Sequence, residues 1–246
     1  MKILHAPQGT TDWITQRLWR LTASELKTTI TAGGKLSESK AAMKHIDKLI
    51  AGIELAAEMK DRRKEIDELN ERQLKQFMAH YTGDSFSGSL HTERGHECEP
   101  EAIAALSQIV GSQIRDVGMC VMGDSEDGFV SCSPDGLEYA GGKLVAGAEM
   151  KSPCLFNYYN QLAEGVLPDE YKLQVHAGMA ICEVDRWHFG SFFRGMPLFH
   201  LLVKRDTFTD QISKSLHEFV AAYQARFGVV MGKLQELERK QGREAA

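Results

Sequence analysis

The chain predicts an α/β fold, a mixed central sheet flanked by helices. Three observations carry that expectation. Residues 96–109 repeat apolar positions at helical spacing, short strand-like runs follow at 114–121, 128–133 and 144–151, and a second helical stretch at 169–182 precedes a period-two run at 186–193. Each element has an apolar face to bury, and the order helix, three strands, helix, strand buries those faces as helices layered on a sheet.

The first helix sets Ala102, Ala105, Leu106 and Ile109 on one face and carries Glu99 in its first turn. An acidic turn at 123–128 joins the first two strands. The second strand ends in Ser133-Pro134-Asp135-Gly136, whose Pro-Asp-Gly is turn chemistry. The third, Leu144-Val145-Ala146-Gly147-Ala148, ends in Glu149-Met150-Lys151 just before Pro153. Tyr171, Val175, Met179 and Cys182 give the second helix its stripe, and Trp187, Phe189, Ser191 and Phe193 alternate with Arg186, His188, Gly190 and Phe192 in the last strand.

On a strand the side chains of i and i+2 share a face, so Glu149 and Lys151 emerge together while Met150 faces away. With Asp135 at a neighbouring strand end, two carboxylates and an ammonium converge. That set suits phosphodiester hydrolysis: hard oxygens hold Mg²⁺, the metal activates water, and the lysine orients or deprotonates that water. Such a pattern on a sheet edge also serves as a plain solvated face; its placement at two strand ends favours the metal site.

The element order and the Asp135, Glu149, Lys151 set resemble the restriction-endonuclease-like αβββαβ core of the PD-(D/E)xK nuclease superfamily. Five motifs resemble one branch of it, the YqaJ-type viral recombinases of the bacteriophage lambda exonuclease family. They are Asp12-Trp13-Ile14-Thr15-Gln16-Arg17 with Leu21-Thr22-Ala23-Ser24-Glu25; Arg94-Gly95-His96-Glu97-Cys98-Glu99-Pro100-Glu101-Ala102; Ser133-Pro134-Asp135-Gly136-Leu137; Glu149-Met150-Lys151-Ser152-Pro153; and Tyr171-Lys172-Leu173-Gln174-Val175-His176 with Met179.

The resemblance implies a Mg²⁺-dependent 5′ to 3′ exonuclease, with Mn²⁺ as a second candidate ion. Such an enzyme digests one strand of linear duplex DNA and leaves a 3′ tail for recombination by strand annealing. It further implies two ions per site, with Asp135, Glu149 and the Met150 carbonyl as ligands and Glu99 reaching the second ion or its waters. Lys151 then sits beside the attacking water, and Arg17, Ser24, Ser133 and Gln174 form a 5′-phosphate pocket. An arginine fork matches phosphate oxygens, and hydroxyls and amides donate to them. Taken singly, the four are an exposed helix residue, an N-cap, a turn residue and a solvent-facing helix position. The implied partners are duplex DNA ends, two further copies of the chain in a trimeric ring, and a single-strand annealing protein, in the host cytoplasm.

The sequence departs from the family pattern at two places. His176 stands where a second glutamine is common, on a different face from Gln174, and is expected to be partly buried or phosphate-facing rather than a metal ligand. Trp19 stands where the family keeps something small, at the expected DNA-entry surface.

The length of 246 residues suits one nuclease domain, 1–246, with a helical insert at 37–81 read as a two-helix hairpin and a C-terminal helix from 207 whose charged end, 233–246, is expected to fray. Cys98, Cys120, Cys132, Cys154 and Cys182 show no CxxC, which argues against a disulfide framework or a zinc site and for small buried hydrophobes, Cys132 and Cys154 being the pair nearest the site in sequence. The start is too short for a signal segment and no apolar run is long enough to span a membrane. A net charge of −5 argues against global attraction to DNA, so local positive potential is required. Lys40, Lys44 and Lys48 recur every four residues and read equally as a DNA path or as a solvated face paired with Glu38, Glu54 and Glu58. Two rivals remain at this level: a structure-specific or restriction-type endonuclease on the same core, and a non-catalytic DNA-end scaffold.

Overall fold

The computed structural model describes residues 1–83 and 90–244, without the side chains of residues 71, 90–96 and 242–244. The N-terminal third holds β1 (Lys2–Leu4), α1 (Thr11–Arg17), β2 (Leu21–Thr22), a 3₁₀ turn (Ala23–Thr28), α2 (Lys40–Asp61), α3 (Arg63–Glu68) and α4 (Glu71–Thr82). The middle holds α5 (Leu90–Val110), β3 (Ile114–Arg115), β4 (Met119–Val121), β5 (Val130–Cys132), β6 (Gly136–Ala140) and β7 (Lys143–Lys151). Then come α6 (Leu155–Glu164), α7 (Asp169–Cys182), β8 (Arg186–Ser191), β9 (Phe199–Lys204) and α8 (Thr207–Glu244).

The α/β expectation holds, with two sheets in place of one. The larger runs β3-β6-β7-β8-β9 and the smaller β1-β4-β5-β2. In the larger, β6 and β7 are antiparallel while β7 and β8 are parallel, joined by the crossover through α6 and α7. The run 114–121 breaks into β3 and β4, which join different sheets. At the break a Cβ on Gly118 would meet the Ala6 carbonyl at 2.2 Å, so only glycine lets the N-terminal strand pass there.

Residues 136–140, to which the sequence assigns no strand, form β6. They pair with β7 through the two-residue turn Gly141-Gly142, whose φ angles of +58° and +79° belong to hairpin turns of the primed type. Asp135 therefore opens a strand instead of closing one. The turn signal of Pro134-Asp135-Gly136 was genuine but marks the passage from one sheet to the other.

Trp187 sets the spacing of the layers. It is 1 % exposed, and a Cβ on Gly147 of β7 or on Gly178 of α7 would come within 2.3 or 2.5 Å of its ring. Two glycines thus admit the indole between strand and helix, which fixes how close α7 lies to the strand that carries Glu149.

Three sequence expectations change. The insert is three helices, with Leu55, Met59 and Ile66 buried among Leu74, Phe77 and Tyr81; Arg62 ends α2 at a non-helical backbone conformation, so the chain turns there. Ile109 is 54 % exposed, and Ile103 packs beside Ala102 and Leu106 in its place. The stretch from 233 continues α8 as helix to Glu244, with residues 233–241 exposed, and the buried face of α8 is Ile212, Leu216, Phe219 and Tyr223. No helix among the described residues is long and apolar enough to cross a membrane.

Cys132 does not pair with Cys154, which precedes α6. It faces Cys120 across β4 and β5, and with Cys182 of α7 the three sulfurs lie within 4.8 Å of one another, Cys132 and Cys182 at 3.6 Å. All remain thiols. Sequence spacing cannot show such a convergence, because strand pairing and helix packing create it.

Candidate active site

The site forms where β6 and β7 pair. The register sets Gly136 opposite Ala148, and the Asp135 amide donates to the Ala148 carbonyl at 3.0 Å, which brings Asp135 beside Glu149. The Met150 amide donates to the Asp135 carboxylate and fixes it across the strand end. Glu149 and Lys151 leave β7 on one face, and the Lys151 ammonium donates to Glu149 Oε1. Gln174, reaching from α7, donates to the same oxygen at 2.7 Å. Lys151 Nζ also lies 5.2 Å from the centre of the Tyr171 ring. The Met150 side chain turns to the other face and packs with Cys98 and Ala102 of α5.

Electrostatics here are unbalanced towards negative charge. Burial, then Glu149, then Glu99 push the Asp135 carboxyl well above the usual carboxylate range. The contribution of Glu99 shows that α5 brings a third carboxylate into the same field. For Lys151, burial alone would lower the pKa, but Glu149 and Asp135 outweigh it and hold the ammonium above its ordinary value. Burial and Glu170 push the Tyr171 phenol up to about 12, so it stays neutral. Hard carboxylate oxygens crowded together out of water match what a divalent cation neutralises.

A second cluster adjoins it. Arg17, at the end of α1, lies with its guanidinium 4.5 Å from the centre of the Trp13 ring and donates to Thr22 Oγ1 at 3.3 Å and Ser24 Oγ at 3.4 Å. The Trp13 indole N–H donates to Ser133 Oγ at 3.1 Å and to the Gly118 carbonyl at 3.2 Å. Burial lowers the Arg17 pKa while Glu25 raises it, and Glu25 itself accepts from Thr22 at 3.1 Å. The Arg17 fork donates to neutral hydroxyls, and such a fork keeps its capacity for an anion.

Of the four residues expected around a phosphate, Arg17, Ser24 and Ser133 come together. Gln174 joins the carboxylate cluster instead, because α7 packs on β7. Trp13 and Thr22 had no role assigned from sequence, although both lie inside quoted motifs; the structure makes Trp13 the link between Arg17 and Ser133. His176 is 3 % exposed and bonds Thr209 at 2.7 Å, so it ties α7 to α8. Trp19 covers Arg20, whose guanidinium sits 3.7 Å over its ring, and meets Phe129 edge-on at 6.3 Å. The side chains of Arg94 and His96 lie outside the described residues.

Residues 12–185 match the model of the YqaJ-like viral recombinase domain. The chain belongs to that family. The solved structure of LHK-Exo in complex with dAMP is similar over 93 % of this chain and 100 % of its own, at 21 % identity and a TM-score of 0.66. An alkaline exonuclease (LHK-Exo) from Laribacter hongkongensis covers the same shares at 20 % identity and a TM-score of 0.66. A phage related exonuclease from Haemophilus somnus 129PT covers 87 % of this chain and 96 % of its own, at 14 % identity and a TM-score of 0.51. At such identities the likeness establishes the fold. No curated protein matches the chain. All the candidate site residues of this YqaJ-family chain fall inside the matched span, whereas β8, β9 and α8 lie beyond it.

Proposed function

We propose that this chain is a divalent-metal-dependent exonuclease that digests the 5′-ended strand of linear duplex DNA and leaves a 3′ single-strand tail for recombination by strand annealing. One observation carries the reading. Asp135 and Glu149 stand abreast with Lys151 and Gln174 bonded to Glu149, and Ser133, two residues before Asp135, is tied through Trp13 to Arg17. A hydrolytic centre and an anion site are thus joined by a single turn. The exonuclease names of the structural neighbours and the recombinase family agree with it.

Asp135, Glu149, Glu99 and the Met150 carbonyl are the ligands we assign to Mg²⁺, two ions per site, and the crowding of like charges around Asp135 fits that assignment. When bound, the metal supplies Lewis acidity and a nucleophile at neutral pH. The protein's own groups do the rest. Gln174 holds Glu149 in one orientation, Lys151 as an ammonium orients water and offsets charge that builds on the scissile phosphate, and Arg17 with Ser24 and Ser133 grips the terminal 5′-phosphate. The chain is then one nuclease domain, 1–246, with its insert at 37–81 and its C-terminal helix from 207, working as a head-to-tail homotrimeric ring beside a single-strand annealing protein.

The test is digestion of linear duplex labelled at 5′ or 3′, with and without 5′-phosphate, in Mg²⁺. Loss of the 5′ label as mononucleotide with the complementary strand intact supports the reading. Nicking of closed circular DNA would replace it with the endonuclease alternative, and binding of ends without hydrolysis with a scaffold.

A further inference from the structure

The 3₁₀ turn that carries Ser24 also carries Lys27 and Thr28, and these face away from the Arg17 cluster into an open groove of about 410 Å³. Its other wall is the start of α2. Lys44 and Lys48, one helical turn apart, line it with Ser39 and Thr31. Lys40, which shares their four-residue spacing in the sequence, does not line it. Among the described residues no aspartate or glutamate lines the groove, in a protein with 34 acidic residues and a net charge of −5. Lys27 and Lys44 are exposed and have no carboxylate partner among the described residues. Hydroxyls and the N-terminal end of a 22-residue helix complete a wall of donors. Cationic and donor groups on both walls of a groove without carboxylates describe a track for a polyanion.

We propose that this groove binds backbone phosphates of the duplex still to be digested, as a track separate from the 5′-phosphate pocket and one turn of chain away from it. The inference rests on the nuclease reading and adds to it the surface that holds the rest of the substrate. It also separates two meanings of the lysine repeat: Lys44 and Lys48 face the groove with Lys27, while Lys40 is a solvated helix start. A lysine that neutralises a phosphate releases counterions, so each contributes about 0.9 to the slope of log affinity against log salt.

The experiment measures binding of a phosphorylated duplex in Ca²⁺ across a salt series, for the wild type, Lys27→Ala/Lys44→Ala, Lys27→Arg/Lys44→Arg and Lys60→Ala, Lys60 being exposed on α2 away from the groove. The double alanine variant is expected to lose about 2 from the salt slope. It should keep its melting temperature and its preference for 5′-phosphorylated over 5′-hydroxyl ends. The arginine and Lys60→Ala variants should keep the wild-type slope. An unchanged slope in the double alanine variant, or an equal loss in Lys60→Ala, overturns the groove while leaving the nuclease reading in place. A loss of the 5′-phosphate preference in that variant also overturns it, since the groove would then be part of the terminal pocket. A wild type that neither binds nor digests duplex DNA overturns both.

Discussion

The two halves of the candidate site are unbalanced in opposite senses. At the end of β7 the protein gathers carboxylates until burial, Glu149 and Glu99 together raise the Asp135 pKa. At the end of α1 it presents the Arg17 guanidinium to the hydroxyls of Thr22 and Ser24. Neither arrangement is built for folding. Crowded carboxylates oppose it, and an arginine kept for stability would look like Arg20, three residues on. Arg20 is 2 % exposed and donates to the carbonyls of Gly128, Gln16 and Glu126, holding the 123–128 turn against α1. Burial lowers its pKa to about 10, which leaves it charged at neutral pH. Neighbouring arginines thus separate into one that donates to backbone carbonyls and one that donates to side-chain hydroxyls.

The sharpest break of that contrast is at the acidic end. Asp135→Asn and Glu149→Gln should each reduce cleavage to background while Ca²⁺-supported DNA binding persists; near-normal turnover would refute the ligand assignment. The same Asp135→Asn change should raise the melting temperature of the metal-free protein at neutral pH. The sign follows from the raised pKa: the folded state binds the extra proton, so stability contributed by protonated Asp135 is fully present below the ordinary carboxylate range and is lost as pH rises from that range through the folded value. Melting curves in chelator across pH should show the wild type losing stability in that window and the variant not.

Lys151→Ala comes next, with a loss of about 10²–10³ in turnover and little change in melting temperature. A loss below tenfold would make the lysine a partner of Glu149 and nothing more. The arginine pair then separates stability from recognition. Arg20→Ala should cost about 3 kcal/mol of stability, since buried carbonyls lose their donors. Arg17→Ala should leave stability nearly unchanged and remove a ten- to hundred-fold preference for 5′-phosphate, equivalent to about 1.5–3 kcal/mol. Equal destabilisation by both would erase the distinction drawn here.

The smallest effect concerns Gln174, which donates to Glu149. Gln174→Ala should lower turnover several-fold at saturating substrate while keeping the 5′-phosphate preference. Loss of the preference would return Gln174 to the phosphate pocket.

Local rules made much of this legible. Residues 169–182 were read as a helix and are α7, and 144–151 were read as a strand and lie within β7, because each has a strong apolar period that needs only its own neighbours. The motifs around Arg17, Asp135, Glu149 and Gln174 were legible for the same reason, each being a short run of contiguous chain. Residues 136–140 were not, since Gly136 and the following Gly141-Gly142 look like loop until β7 supplies a partner strand. Burial on both faces of β8 likewise depends on α5 and α7 packing against it.

The sequence by itself therefore determined the strongly periodic elements, such as α7 and β7, and which side chains share a strand face, because periodicity is a property of the backbone repeat. It determined Glu149 and Lys151 as a pair. Tertiary structure alone decided that Asp135 opens a strand, that Trp13 connects Arg17 to Ser133, that Gln174 serves Glu149, that His176 is core, and that cysteines from β4, β5 and α7 meet. Those outcomes depend on strand register and on how closely α7 approaches β7. Both are set by contacts between residues distant in the chain, among them one indole fitted against two glycines.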